Sequence, residues 1–300
     1  MNKKRIKFDS VFPYLMCLPA VILFTVVCIV AFGQGIYTSF YQWDGLGKMK
    51  WKGVDNFIFT VQDPIFWTAI KNTMLYAVFV TVMKNILGVL LAFLLMGKVV
   101  GRSGFRVATF MPVTFSYVVT GILWSWIYNP TFGIANGLID KVSSLFGVTP
   151  NFPGWLSDPN IAMFSVMFVD IWKWAGFHMI LYLAGLQAIP NDLYEAAAID
   201  GANGVQRFLH VTIPQLNSTI IVNILMSITG AFTSNYDVVK VMTGGGPFHA
   251  TEVALTYITD TAFKFAQVGK ANAMSFILFC FVFVFGFLQL KIMTRDENYE

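Results

Sequence analysis

Asp170 and Lys173 lie deep in a long apolar run, three residues apart, with Trp174 and Phe177 close behind. A charge at the centre of a membrane helix costs about 2.5–3.5 kcal/mol on insertion scales. Such residues therefore face a bundle interior or a water-filled path. At i,i+3 spacing the carboxylate and the ammonium share one helix face and can pair. Two readings follow from these residue types. One is a structural ion pair that stabilises a bundle. The other is a polar patch lining a water-filled path through the bundle. Lys84 and Asn85 interrupt a second apolar run. Lys84 is too deep to snorkel well, so it is expected to face protein, and no function is assigned to it.

A second group is polar and lies between two apolar runs: Glu195-Ala196-Ala197, then Asp200-Gly201-Ala202, then Val211-Thr212-Ile213-Pro214. Pro190 ends the run before it. Asp192 can cap a new helix, with Glu195 three residues on as the reciprocal capping-box partner. Leu193, Ala196, Ala197 and Ile199 make a small apolar face, Gly201 breaks the helix, and a second short helical stretch covers 205–209. The expected design is helix, glycine hinge, helix, lying across a membrane surface. An interfacial amphipathic helix would satisfy that pattern, but the alanines beside Glu195 also allow close approach by a partner.

Several chemistries are excluded. Gly244-Gly245-Gly246-Pro247 is not followed by Lys-Ser/Thr, and Gly269-Lys270 lacks the upstream glycine and the Ser/Thr of a phosphate-binding loop, so no nucleotide site is expected on this chain. His178, His210 and His249 are scattered and indicate no metal site. Cys17, Cys28 and Cys280 sit inside apolar runs without CxxC spacing, as small hydrophobes do. No Ser/His/Asp motif is present, so an intramembrane enzyme lacks its reactive constellation.

These residues are positioned by a membrane protein. Of the 300 residues, 56% are hydrophobic and 12% charged, against about 25% charged in soluble domains. A span needs about 20 mainly apolar residues, and six segments qualify: 11–40, 70–96, 107–128, 161–187, 212–235 and 271–293. The first follows Lys3, Lys4, Arg5 and Lys7, but its apolar stretch is too long for a signal peptide. The basic N-terminus (1–10), the acid-free loop with Lys98, Arg102 and Arg106, and the tail (294–300) with Arg295, just after Lys291, belong on the cytoplasmic side by the loop-charge rule. Both termini and the loop 190–211 are then cytoplasmic. The net charge of +4 reflects this topology and is no nucleic-acid signature. The outer loops 43–63 and 129–160 carry turn residues, and the second holds Pro130, Pro150, Pro153 and Pro159, so folded caps are expected.

Glu195, Ala196, Ala197, Gly201, Val211, Ile213 and Pro214 together match the signature of permease subunits of bacterial binding-protein-dependent ABC importers, and Asp192 through Ala202 resembles the sugar branch. Tyr41-Gln42-Trp43-Asp44-Gly45 with Gly53-Val54-Asp55-Asn56-Phe57, Ser157-Asp158-Pro159, Trp172 through Pro190, and Asp237 with Thr243-Gly244-Gly245-Gly246-Pro247 extend the resemblance over most of the chain, toward the maltose permease subunit of the MalF type. The resemblance implies an all-α integral membrane protein with six transmembrane helices, the type I importer permease fold and a cytoplasmic coupling helix. It makes Glu195, Ala196, Ala197, Asp200, Gly201 and Ala202 the residues that dock on an ATPase. Alignment on Trp172 and Pro190 puts the substrate pathway at Asp170, Lys173, Trp174 and Phe177, and alignment on Gly245-Gly246-Pro247 adds Phe232 and Asn235; only Asn235 keeps the residue type found in the maltose permease. The implied role is a non-catalytic subunit of a carbohydrate importer in the bacterial cytoplasmic membrane. Its partners would be a second six-span permease subunit resembling MalG, two ATPase subunits that carry ATP and magnesium, an extracytoplasmic solute-binding protein, a saccharide and lipid. No cofactor or metal is expected on this chain. The competing reading is a self-sufficient ion-coupled secondary transporter with Asp170 and Lys173 as its relay.

Overall fold

The computed structural model describes residues 8–97, 100–147 and 153–293; the basic residues 3–7, Lys98, Pro150 and the tail from 294 lie outside them. The helices, in chain order, are α1 (Phe8–Phe24), α2 (Ala31–Ser39), α3 (Asp55–Val61), α4 (Pro64–Leu94), α5 (Arg102–Phe110), α6 (Tyr117–Ile127), α7 (Ile134–Leu145), α8 (Ala162–Ala188), α9 (Asn191–Ile199), α10 (Gly204–Arg207), α11 (Ile213–Gln215), α12 (Asn217–Met242), α13 (Ala254–Thr259) and α14 (Val268–Met293). The described strands are β1 (Tyr41–Gln42) and β2 (Lys50–Trp51), paired antiparallel with Tyr41 opposite Trp51. Among the described residues, four helical segments are long and apolar enough to cross a membrane, and six if each of two bent pairs is one span.

The chain divides into two compact units, one of residues up to Phe66 with Ile258–Lys291, the other mainly of Trp67–Tyr257. In the first, Phe12–Ser39 is a continuous apolar helix with a π-type turn at Thr25–Val30. The side chains from Phe12 to Phe24 are exposed, as suits a lipid-facing surface. Polar side chains tie the rest of this unit together. The Asn56 amide donates to Ser39 O and Tyr41 O at 2.7 and 2.9 Å, Asn272 donates to Thr38 Oγ1 at 2.6 Å, and Lys270 pairs with Asp63 at 3.0 Å. In the same loop the Asp44 carboxylate accepts from the Gly47 and Leu46 amides, which hold it below the usual carboxylate range.

The second unit is built around α8. Its core packs Tyr76 and Val80 of α4, Val166, Met167 and Val169 of α8, and Ala231, Val238 and Val239 of α12. A second cluster joins Ala92, Met179, Tyr182, Leu183, Leu186 and Leu216. Toward α5 the helices approach closely: a Cβ at Gly176 would sit 2.8 Å from Phe110 Cα and on Thr109 O. Small residues at such crossings are how membrane helices gain contact without a hydrophobic drive between them. Loop 129–160 contains α7, pinned by Trp155 Nε1 donating to Asn136 Oδ1 at 2.8 Å and by Trp155 stacking on Tyr128.

Two expected spans are not single helices. Within 107–128 the chain bends by 105° between Arg102–Thr114 and Tyr117–Ile127. Pro112 lies in a tight turn at Met111–Thr114, Phe115 is extended, and Ser116 accepts from Val119 N to start α6. A proline lacks the amide that would continue the ladder, and a serine cap restarts it. The segment entering 212–235 bends by 69° between Gly204–Gln215 and Asn217–Met242, next to Pro214. Gly176→Leu should separate α5 from α8 at a cost of about 1–3 kcal/mol; a thermal unfolding scan of the detergent-solubilised protein should show a lower midpoint, with Gly137→Leu on exposed α7 as the neutral control.

Candidate functional site

The break between α5 and α6 leaves carbonyls without helical partners, and Lys173 of α8 meets them. Its ammonium donates to Pro112 O at 3.1 Å, Val113 O at 3.2 Å and Phe115 O. Three acceptors saturate the three donors of a charged ammonium. The expected Asp170–Lys173 pairing on one helix face is therefore corrected. Asp170 pairs across to Lys84 of α4, Nζ to Oδ2 at 2.9 Å, both nearly inaccessible. Tyr117 at the start of α6 donates to the other carboxylate oxygen at 2.9 Å, and Trp174 Nε1 donates to the Tyr117 hydroxyl. Lys84, which sequence reasoning left without a role, is thus the counter-ion at the centre of the unit.

One turn further along α8 a second polar chain begins. His178 Nδ1 lies 2.8 Å from Asn223 Oδ1 and its Nε2 3.3 Å from Ser227 Oγ. Ser227 accepts from Asn85 Nδ2 at 3.0 Å, and Asn85 Oδ1 accepts from the Tyr182 hydroxyl. The residues missed by sequence reasoning are Lys84, Tyr117, His178, Asn223 and Ser227. A signal was present: Asp170, Trp174, His178 and Tyr182 recur every four residues, a polar stripe along one face of α8.

Beside this stripe is a cavity of about 480 Å³, lined by Lys84, Trp174, Phe177, His178, Ser227, Thr229, Gly230 and Thr233 among others. Two expected pathway residues, Trp174 and Phe177, are on its wall. Asp170 lies behind Lys84, and Lys173 is committed to the helix break. Phe232 packs against the core instead, and Asn235 is buried with neither amide atom hydrogen-bonded among the described residues. Gly230, in mid-helix, would meet nothing within 4 Å if given a Cβ; its absence of a side chain keeps the wall open.

The elbow of 190–211 has its own construction. α9 starts directly after Pro190, so Asp192 is already in the first turn, and no side-chain cap forms. The expected Asp192–Glu195 capping box is replaced by one at Asn203 and Gln206, with reciprocal bonds of 2.8 and 2.9 Å. Glu195 is left exposed. Gly201 has φ +77°, and Ala202 N bonds Ala197 O at 2.9 Å, the left-handed glycine stop of a helix. Tyr194 OH lies 3.0 Å from Thr212 Oγ1, bracing the elbow. A shallow groove of about 410 Å³ runs along Ala197, Asp200, Gly201, Ala202, Gln206 and Arg207; Ile199 and Val205 stand exposed near it.

Long apolar helices, buried charges beside a mainly apolar cavity and a braced surface elbow define an integral membrane transport protein. Residues 84–295 match the family described as binding-protein-dependent transport system inner membrane component, and the chain belongs to that family of inner-membrane permeases. It is 35% identical over 293 residues to the probable ABC transporter permease protein YurN of Bacillus subtilis, covering 97% of this chain and 98% of the relative. It is 30% identical to the trehalose/maltose transport system permease protein MalF of Thermococcus litoralis, over 93% and 92% of the two chains. The fold is that of a chain in a crystal structure of a bacterial alginate ABC transporter in complex with an alginate pentasaccharide-bound periplasmic protein, with TM-score 0.80 and 23% identity over 98% and 96% of the two chains.

Lys173→Met should take a partner from three carbonyls and leave two of them, Val113 O and Phe115 O, without any among the described residues, each worth roughly 1–3 kcal/mol when unpaired. The expected result is a lower thermal midpoint and poor membrane yield, with Lys173→Arg recovering part of both.

Proposed function

We propose that this chain is one of two permease subunits of a carbohydrate importer, driven by ATP hydrolysis on separate ATPase subunits and fed by an extracytoplasmic solute-binding protein. The observation that carries the reading is the elbow: the residues Glu195, Ala196, Ala197, Asp200, Gly201 and Ala202 form an exposed, internally braced surface whose own polar groups leave Glu195 free for a partner. ATPase closure would move this elbow and, through the bend at Leu216, α12, one wall of the cavity. The permease would then rock between two openings, as a population shift driven by differential binding. Both termini and the elbow face the cytoplasm in this scheme, and ATP and magnesium stay on the partner. Trp174 and Phe177 offer ring faces and Thr229 and Thr233 offer hydroxyls, a lining suited to a sugar. An ion-coupled transporter would need a free relay; here Asp170 is held by Lys84 and Tyr117, and Lys173 by three carbonyls, which favours the ATP-driven reading.

Glu195→Lys combined with Gly201→Trp should cut co-purification of the ATPase by about tenfold or more, since a buried charge or hot-spot loss at an interface costs 2 kcal/mol or more. Unchanged association would remove the docking assignment. Gly230→Leu should fill the cavity and abolish uptake by reconstituted vesicles while the complex still assembles; normal uptake would show that the sugar does not pass this wall.

A further inference from the structure

The charged side chains buried between the helices of the second unit do not balance locally. Within its helices, the charged side chains that are buried among the described residues are Lys84, Asp170 and Lys173; the unit's other buried carboxylate, Glu252, lies in the loop before α13 and is held by His249 and Thr256. Two ammonium groups face one carboxylate, a net charge of +1 in a low-dielectric interior. Lys173 is solvated by carbonyl dipoles, which carry no charge to cancel it. Both oxygens of Asp170 are occupied, by Lys84 and Tyr117. Lys84 gives one of its three N–H donors to Asp170 and lies 5.8 Å from the Trp174 ring centroid, and it is on the cavity wall. Two of its donors thus have no hydrogen-bond partner among the described residues, on a side chain that lines the cavity while only 2% exposed. No carboxylate lines that space among the described residues, and the other ionisable lining group, His178, has both ring nitrogens engaged.

We propose that this cavity takes a saccharide bearing an anionic group, a carboxylate, phosphate or sulfonate, with Lys84 as the residue that selects for the charge. This rests on the transport reading above and adds the substrate class. The anion accepts the free Lys84 donors in a charge-assisted bond, stronger than a neutral one, and neutralises the excess positive charge. The ring of the sugar lies against Trp174 and Phe177, and its hydroxyls reach Thr229 and Thr233. At about 480 Å³ the space is within the range of about 300–1,000 Å³ typical of small-molecule sites. A neutral sugar in the same place would leave the Lys84 donors desolvated without a partner, which disfavours it.

The test uses the assembled transporter in lipid nanodiscs, without its solute-binding protein, titrated with D-glucuronate, D-glucose 6-phosphate and D-glucose. Preference for the acidic probes by about tenfold or more is expected, falling as ionic strength rises. Asp170→Asn should keep or enlarge the preference, because it frees Lys84 further. Lys84→Gln with Asp170→Asn, a neutral hydrogen-bonding pair in place of the charged one, should reduce it to near parity. Equal binding of all three probes, no binding of any, or a preference that survives the neutral pair would overturn the proposal. The wild-type comparison decides even if the double variant fails to assemble. A complex that couples ATP hydrolysis to uptake yet shows no acid preference refutes only this inference, whereas failure to associate with an ATPase refutes the transport reading itself.

Discussion

Inside a bilayer no water is available to satisfy a main-chain carbonyl, so a helix can be broken there only if protein supplies the missing partners. The junction of α5 and α6 depends on that rule. Pro112 and the extended Phe115 open the ladder, and one ammonium from α8 closes the account of three carbonyls. The 105° bend is therefore fixed by a side chain from another helix. It also sets where α6 begins, and so where the Tyr117 hydroxyl lies relative to Asp170. The position of the polar cluster follows from the repair of a backbone defect.

Around it, α8 acts as a spine. The residues Asp170, Trp174, His178 and Tyr182 hold in turn α4, α6, α12 and again α4, through Lys84, Tyr117, Asn223 with Ser227, and Asn85. Polar bonds between apolar helices are individually modest, on the order of 0.6 kcal/mol, but they are directional and admit one register. Tight crossings such as that at Gly176 bring the helices near enough for short side chains to meet. Packing supplies proximity, and the polar stripe selects the register.

Much of this was legible in the sequence. The apolar segments, the elbow with its glycine stop, the folded character of 129–160 and the burial of Lys84 follow from composition, turn chemistry and the cost of charge in lipid. The partner of Asp170 did not follow. Helical spacing favoured Lys173, three residues away, but local spacing is silent about helix breaks, and it was the break at Pro112 that drew Lys173 away and left Asp170 to Lys84, 86 positions distant. The capping box was misplaced for a related reason. Pro190 starts α9 two residues earlier than an Asp192 cap requires, and the box forms at Asn203. Phe232 and Asn235, placed by alignment, share α12 with the cavity wall but not the wall itself. Alignment transfers position along a helix better than it transfers the direction a side chain faces.

The bracing of the elbow has a mechanical consequence. A loop that must only connect two helices can be soft, but a capping box, a left-handed glycine stop and the Tyr194–Thr212 bond make this one stiff. A stiff arm has little compliance in which to lose a displacement. In the proposed scheme, load applied near Ile199 and Val205 would pass with small loss to the 69° corner at Leu216, where the axis changes direction and a push along the surface would become a torque on α12. The residue at that corner is fully buried, as a fulcrum must be if the arm is to turn about it without slipping.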